Sequence, residues 1–390
     1  MLTTFDRYLL GRMLHTFVVF FVATYGLYIV FDLFTNIDAF QTEAHKAADA
    51  ARLEGLSEWS DQDLLMRMAR QIGVYYAFRM SDFLELAGPI LVTVSVVAVL
   101  GLLEKHSESH PLLAAGIPAF RLLRPFLIAT AVLNLLIIAN QELFMPAIAV
   151  QLQTPRGKDH PTKQQVIPVY DYSNHMMSID GESVSLAESR LDAAIFYLTP
   201  ELAAGGCTLR ADSAVYRQAS ADRPAGWLLI NQTGRFEEEL LTTLGRERIF
   251  PQRNGQDVFV TSEVSFDQLY DQGRNPKLLS SSQLVKRIRN PATGAVPVRR
   301  QSLALHSRIT RPLLSMLSAV IALALVLRKE SMGLIVNLAT CGLVLAATFG
   351  ITQGSLLLGN AGLIRPDVAA WFPVVVTGTT SVWTAGYVQT

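Results

Sequence analysis

The sequence predicts a polytopic α-helical membrane protein: six transmembrane helices, three on either side of an inserted extracytoplasmic all-β domain. Three observations carry this. Apolar residues are bunched towards the two ends of the 390-residue chain, and several runs there carry no charge. The middle instead alternates short apolar runs with Pro, Gly, Asn and Asp, as water-soluble β protein does. Bulk composition alone decides little, since 50% hydrophobic residues is close to the globular average. The length has room for two or three domains. With 33 basic and 33 acidic residues the formal net charge is zero, which argues against a nucleic-acid partner.

In chain order, Met1–Arg12 is amphipathic with basic residues at its edge, and Met13–Phe31 runs without Asp, Glu, Lys or Arg. That run is long enough to cross a hydrocarbon core of about 30 Å. It is too long for a signal peptide and no small-x-small cleavage site follows. Asp32–Glu85 is a polar connection rich in acids: Asp38, Glu43, Asp49, Glu54, Glu58, Asp61 and Asp63. Within it Leu64, Leu65, Met68 and Ile72 recur at helical spacing, predicting an amphipathic helix that leads back to the membrane. Leu86–Leu103 is the second span, with Pro89 expected in its first turn.

Between the second and third spans lies the charged stretch Glu104–Pro118. Ser109 can cap a helix, Pro111 suits its first turn, Gly116 supplies the exit and Pro118 starts the next helix. A helix of about two turns does not stand alone in water and needs a partner surface. The stretch reads either as a turn between two membrane helices or as a coupling helix that docks on another subunit. The third span covers about Pro125–Ile138, and Asn134 and Asn140 are expected to face other helices rather than lipid.

From Gln141 the texture changes to short strands: Gln165–Tyr170, Ser183–Leu186, Ala194–Leu198, Cys207–Ala211, Trp227–Asn231 and Asp257–Thr261, which together predict a sandwich or roll. Its interior reads as either packed or open. Ser280–Ser282 can cap a helix over Gln283–Arg289, followed by a loop carrying Arg299 and Arg300. Pro312–Leu327 is the fourth span, Ser331–Ile364 holds the fifth plus an apolar turn near Gly359–Gly362, and Val368–Thr390 is the sixth. The expected parts are therefore 1–140 (three spans), 141–279 (β domain), 280–304 (connecting helix and loop) and 305–390 (three spans).

Six spans put both termini on one side. Arg7, Arg12, Lys105, Arg121, Arg124, Arg328 and Lys329 then face the cytoplasm, as the positive-inside rule asks. Arg299, Arg300, Arg308 and Arg311 fall on the outer side, against that rule. They read either as contacts for anionic head groups or as solvated cations near the membrane surface.

The sequence holds no Walker A pattern, no G-x-S-x-G elbow, no H-E-x-x-H and no C-x-x-C. His306 reads as a surface residue. Cys207 sits in the polar middle and Cys341 in an apolar run, so neither a disulfide nor a metal site is expected, and no cofactor motif occurs. Charged residues inside the spans, the usual mark of a proton relay, are lacking. These features make an integral-membrane enzyme the least expected reading and argue against ion-coupled transport, so a transporter built this way needs a separate motor.

The residues then resemble a family. Ser107-Glu108 with Leu112-Leu113-Ala114-Ala115-Gly116-Ile117, followed by Phe120-Arg121-Leu122-Leu123-Arg124-Pro125, resembles the coupling segment of the LptF/LptG permeases. Asp6-Arg7-Tyr8-Leu9-Leu10 with Phe31-Asp32-Leu33-Phe34 resembles their first span. Leu278–Leu284 resembles the helix after their β domain, and His306-Ser307-Arg308 with Pro312-Leu313 the start of their fourth span. The acidic stretch from Gln41 to Asp63 is longer than the family usually has, and His110-Pro111 stands where apolar helix residues are usual.

The resemblance implies a permease subunit of an ABC transporter in the bacterial inner membrane, with both termini cytoplasmic and a periplasmic β-jellyroll. It would extract lipopolysaccharide or a related glycolipid. It would pair with a second LptF/LptG-type permease, a sister chain or itself, above LptB-like ATPase subunits, and hand lipid to an LptC/LptA-like bridge. By position, Glu108 would contact the ATPase, with Leu112, Leu113, Ala114, Gly116 and Ile117 in the docking helix. The first and fifth spans would form lateral gates. Two other readings fit the layout: a mechanotransmission-type ABC permease, and a membrane-anchored scaffold or sensor.

Overall fold

The computed structural model describes residues 3–53, 60–108, 119–158, 163–220, 223–233, 238–252, 256–270, 275–289, 298–326 and 334–389. Its first helices are α1 (Thr4–Leu53), α2 (Asp61–Lys105) and α3 (Ala119–Ala139). Nine strands follow: β1 (Gln164–Gln165), β2 (Val169–Asp171), β3 (Met177–Asp180), β4 (Ser183–Ser185), β5 (Arg190–Leu198), β6 (Cys207–Arg217), β7 (Gly226–Thr233), β8 (Ile249–Pro251) and β9 (Val258–Thr261). The chain closes with α4 (Ser281–Arg289), α5 (Val298–Val326), α6 (Leu334–Ala361) and α7 (Pro366–Gln389). Among the described residues, α1, α2, α3, α5, α6 and α7 are long and apolar enough to cross a membrane. The residues form two compact units: Met1–Ile37, Arg79–Met145 and Ser302–Thr390 in the first, Asp38–Phe78 and Pro146–Gln301 in the second.

The first unit is helical. Its core gathers Leu9, Met13 and Phe17 of α1 with Val92, Val96, Leu100, Phe126, Ala129, Ala319, Ala322 and Cys341. The apolar stretches of α2, α3 and α5 are 50%, 44% and 50% buried, against 11% for α1 and 17% for α6, so the first three form the centre. Apolar side chains gain little by leaving lipid for one another, so close approach and polar contacts must hold such helices together. Both occur. A Cβ at Gly88 would stand 2.9 Å from Ile137 Cδ1, so glycine there lets α2 and α3 touch. Asn134 Nδ2 of α3 donates to Ser315 Oγ of α5 at 3.1 Å, and Asn140 Nδ2 to the Ser81 carbonyl of α2 at 3.0 Å, as expected for asparagines turned from lipid.

Helix α1 is fastened to α2 by rings. Phe17, Phe21, Tyr25 and Tyr28 stack in turn along α1, and Phe83 of α2 packs against the last three. Asn36 then kinks α1, with φ −128° and ψ 15°. Its side-chain amide donates to the Asp32 carbonyl at 2.8 Å, competing with the backbone ladder, which is how such residues bend helices. Pro89, expected in a first turn, lies well inside α2. The amphipathic helix predicted around Leu64–Ile72 and the second span are one uninterrupted helix of 45 residues.

The second unit contains the rest of that acidic connection, which is helical up to Leu53 and from Asp61; Glu54 and Glu58 lie outside the described residues. Ser60 and Asp63 close a capping box: the Ser60 N–H donates to Asp63 Oδ2 at 3.0 Å and the Asp63 N–H to Ser60 Oγ at 3.4 Å. Phe40 is fully buried against Tyr75 with ring centroids 5.7 Å apart, and the Arg156 guanidinium lies over the Tyr75 ring, 5.6 Å from its centroid. Acidity made this stretch read as a linker. Its alanines, and acids placed in the first turn of α2, favour a helix instead.

The nine strands make one antiparallel sheet in the order β1-β4-β5-β6-β7-β9-β8, with β3 also pairing β5 and β2 pairing β3. Its inner face is packed: Ile179, Leu191, Phe196, Leu209, Ala214, Trp227, Leu229 and Val260 are all buried. Trp227 is the hub. It meets Phe196, Tyr216 and Phe266 at centroid distances of 6.1, 5.4 and 6.5 Å, and its indole N–H donates to the Val264 carbonyl at 2.8 Å. That bond ties the segment after β9 across the inner face. Further along the chain, Ser280 and Gln283 cap α4 reciprocally, at 2.8 and 3.3 Å, and the helix starts two residues earlier than the sequence placed it. Arg287 of α4 is buried and ion-paired with Asp267.

At the β4–β5 edge, Lys163 and Arg190 each lie 2.8 Å from a different oxygen of Asp192. Burial works against ionising this carboxyl, but the two cations outweigh it and hold its pKa below the ordinary 3.8. A depressed acid stabilises the fold above its unfolded-state pKa and loses that contribution as pH falls through the folded one. Unfolding followed against pH should therefore show a loss of β-domain stability below about pH 4 that Asp192→Asn removes.

Candidate functional site

Of the coupling stretch, Glu108 lies among the described residues, and Leu112, Leu113, Ala114, Gly116 and Ile117 lie outside them. Glu108 does not float in a loop. Helix α2 ends in a Schellman motif: the Ser107 N–H donates to the Glu104 carbonyl at 3.0 Å and the Glu108 N–H to the Leu103 carbonyl at 2.9 Å. Ser107 takes the left-handed conformation, φ 57°, where glycine is usual. The cap fixes the Glu108 backbone to the end of α2 and turns its side chain towards α1.

There the carboxylate meets two donors one helical turn apart. Arg12 Nη1 lies 3.1 Å from both Glu108 oxygens, and the Tyr8 hydroxyl donates to Oε2 at 3.4 Å. Arg12 also donates to the Tyr8 oxygen at 2.8 Å, with its guanidinium 5.7 Å from that ring's centroid. The Arg12 side chain is 20% exposed and that of Glu108 33%, so water screens the pair less than a surface ion pair. A second capping box, between Thr3 and Asp6, sets the start of α1 just below.

The second charged feature explains two of the four outer arginines. Beyond Ala139, α3 continues as a π-helical turn over Asn140–Phe144, a form frequent at functional sites. The turn aims three consecutive polar side chains at neighbours. Asn140 pairs with Ser81, Gln141 Nε2 donates to Glu85 Oε1 at 2.9 Å, and Glu142 Oε1 accepts from Arg308 Nη1 at 3.0 Å. Arg311 closes the network with an ion pair to Glu85. Arg308 is 7% exposed and Glu85 5%. Two guanidiniums and two carboxylates thus lash α2, α3 and α5 together, with no net charge. Arg299 and Arg300, expected in a loop, instead occupy the first turn of α5 and are exposed.

These arrangements bring together ions and amides and no nucleophile with a base. The family pattern described as lipopolysaccharide export system permease LptF/LptG matches residues 68–174 and 208–387. The chain belongs to the LptF/LptG family. No curated relative matches it. As an LptF/LptG member it is a multi-pass inner-membrane protein for lipopolysaccharide export, and the family works within the Lpt transporter complex. The matched residues include Glu108, the π turn, Arg308 and Arg311; the β domain is matched on both sides of a gap at 175–207.

Sequence reasoning singled out Glu108, Arg308 and Arg311 but missed what holds them: Tyr8, Arg12, Glu85, Gln141 and Glu142. A signal was present for the acids. Glu85 immediately precedes the second span and Glu142 closely follows the third. With six spans, both fall at the same membrane end as Arg308 and Arg311, so the two excess cations there have two acids to meet.

Proposed function

We propose that this LptF/LptG protein is a permease subunit of an ABC transporter, driven through Glu108 by a separate LptB-like ATPase that performs all ATP hydrolysis. The observation that supports the reading is Glu108 itself, held at the end of α2 by a helix cap and followed by the stretch that resembles the family's coupling segment. Both termini and residues 104–118 face the cytoplasm, and the β domain faces the periplasm. Leu112, Leu113, Ala114, Gly116 and Ile117 form the docking helix on the ATPase. A second LptF/LptG-type chain completes the lipid cavity, and an LptC/LptA-like bridge takes the lipid from the β domain.

The energetics require such a motor. Each buried methylene holds a lipid by about 0.8 kcal/mol, so one chain of about ten methylenes is held by roughly 8 kcal/mol and lipopolysaccharide by several times that. The head-group phosphates are met by the four arginines Arg299, Arg300, Arg308 and Arg311, of which the first two are exposed. The packed inner face around Trp227 has to open for acyl chains to pass along it.

The test is purification with the cognate ATPase and lipopolysaccharide release from proteoliposomes. Glu108→Lys is expected to abolish ATP-dependent release or the association itself. An unaltered release rate in that variant overturns the reading.

A further inference from the structure

We propose that Tyr8 and Arg12 are positioning residues that carry the motion of the coupling segment into helix α1. The proposal rests on the reading that Glu108 faces an ATPase. Any displacement of Glu108 has two ways into the membrane: along its backbone into α2, or across its side chain into α1. Helix α2 is poorly placed to respond. It is half-buried in the helical core, meets α3 closely at Gly88, and is anchored at Ser81 and Glu85 by the π turn and Arg311.

Helix α1 is placed to respond. It is the least buried of the six spans: it packs on the unit through Leu9, Met13 and Phe17, flanked by the half-buried Phe5, Leu10, Leu14 and Phe20, and through the ring stack on Phe83. Tyr8 and Arg12 sit in its first turns, where a push has most leverage on the remainder. Two donors at i and i+4 grip one carboxylate, so neither rotation nor sliding of the carboxylate leaves α1 behind. A carboxylate has about four acceptor positions, and among the described residues these contacts use three of them.

Arg12→Gln and Tyr8→Phe, each in the full complex of ATPase, partner permease and this chain, separate relay from docking. The readouts are lipopolysaccharide released per ATP hydrolysed, and the distance between nitroxides at Val19 of α1 and Val94 of α2 with and without nucleotide. Arg12→Gln is expected to keep the ATPase bound and hydrolysing while release per ATP falls about tenfold, the usual weight of a hydrogen bond to a charged group. The nucleotide-dependent shift in the nitroxide distance should vanish with it, and Arg12→Lys should recover part of both. Tyr8→Phe should show a smaller loss. Wild-type release per ATP in Arg12→Gln overturns the relay, and so does a fall in hydrolysis that matches the fall in release, because Arg12 would then act in docking. If the wild-type chain binds no ATPase, the reading of Glu108 fails, and the relay with it.

Discussion

Glu142→Ala is expected to destabilise the helical unit by about 3–5 kcal/mol, the cost of leaving one partner of a buried ion pair behind. Losing the carboxylate that Arg308 Nη1 donates to, and leaving Glu85 to face two guanidiniums, is what makes this change severe. Arg308 is 7% exposed and a guanidinium cannot shed its proton at any ordinary pH, so the charge stays. Truncating the other pair, Arg311→Met, should cost less, because Glu85 keeps Gln141 as a donor. Cys341, fully buried in the same core, offers the measurement. Its maleimide labelling during heating should begin at clearly lower temperature in Glu142→Ala than in Arg311→Met. The double variant Glu142→Leu/Arg308→Met should recover most of the loss, since an apolar replacement removes both charges together.

The same logic in water-soluble surroundings gives the second large effect. Asp267→Ala leaves Arg287 of α4 buried without its carboxylate, and should cost the β domain about 3–5 kcal/mol. Burial already pushes the Arg287 guanidinium down to about 10, well short of neutrality at pH 7. Asp267 precedes Leu269 and Tyr270, which are buried in the sheet core, and follows Val264, which accepts from Trp227. Hydrogen exchange should therefore speed up first in β7 and β9, where Trp227 and its neighbours lie. Unchanged exchange there would show that Asp267 contributes nothing to holding the segment on the sheet.

What could be read from the sequence follows from the range of the interactions involved. Six apolar runs marked six spans because a run of that length has few other fates. The strands at Ala194–Leu198, Cys207–Ala211 and Trp227–Asn231 were legible from alternation, and they are the core of β5, β6 and β7. β3 and β8 were not, although β4 and β9, equally short, were. Asn134 and Asn140 turned inwards as a polar group in lipid must. The helix around Leu64–Ile72 was legible, but the helical fate of 38–53 was missed because charge spoke louder than alanine content. At the site, Glu108 was visible through the pattern around it, but its grip on Arg12 joins residues 96 positions apart, and that of Glu85 on Arg311 joins residues 226 apart. No local pattern encodes such pairs; only counting opposite charges at one membrane end brings the second within reach.

The turn at Asn140–Phe144 has a further consequence. An ordinary helix advances about 100° per residue, so three successive side chains fan over more than half its circumference. The wider winding here narrows that fan, and Asn140, Gln141 and Glu142 all find inward partners. The third span therefore carries a phase slip: its lower turns keep step with the bundle, while its upper end is re-aimed without any change in the helix below. Insertions or deletions elsewhere in the span would rotate this polar cluster as a block, whereas one inside the turn would dismantle it.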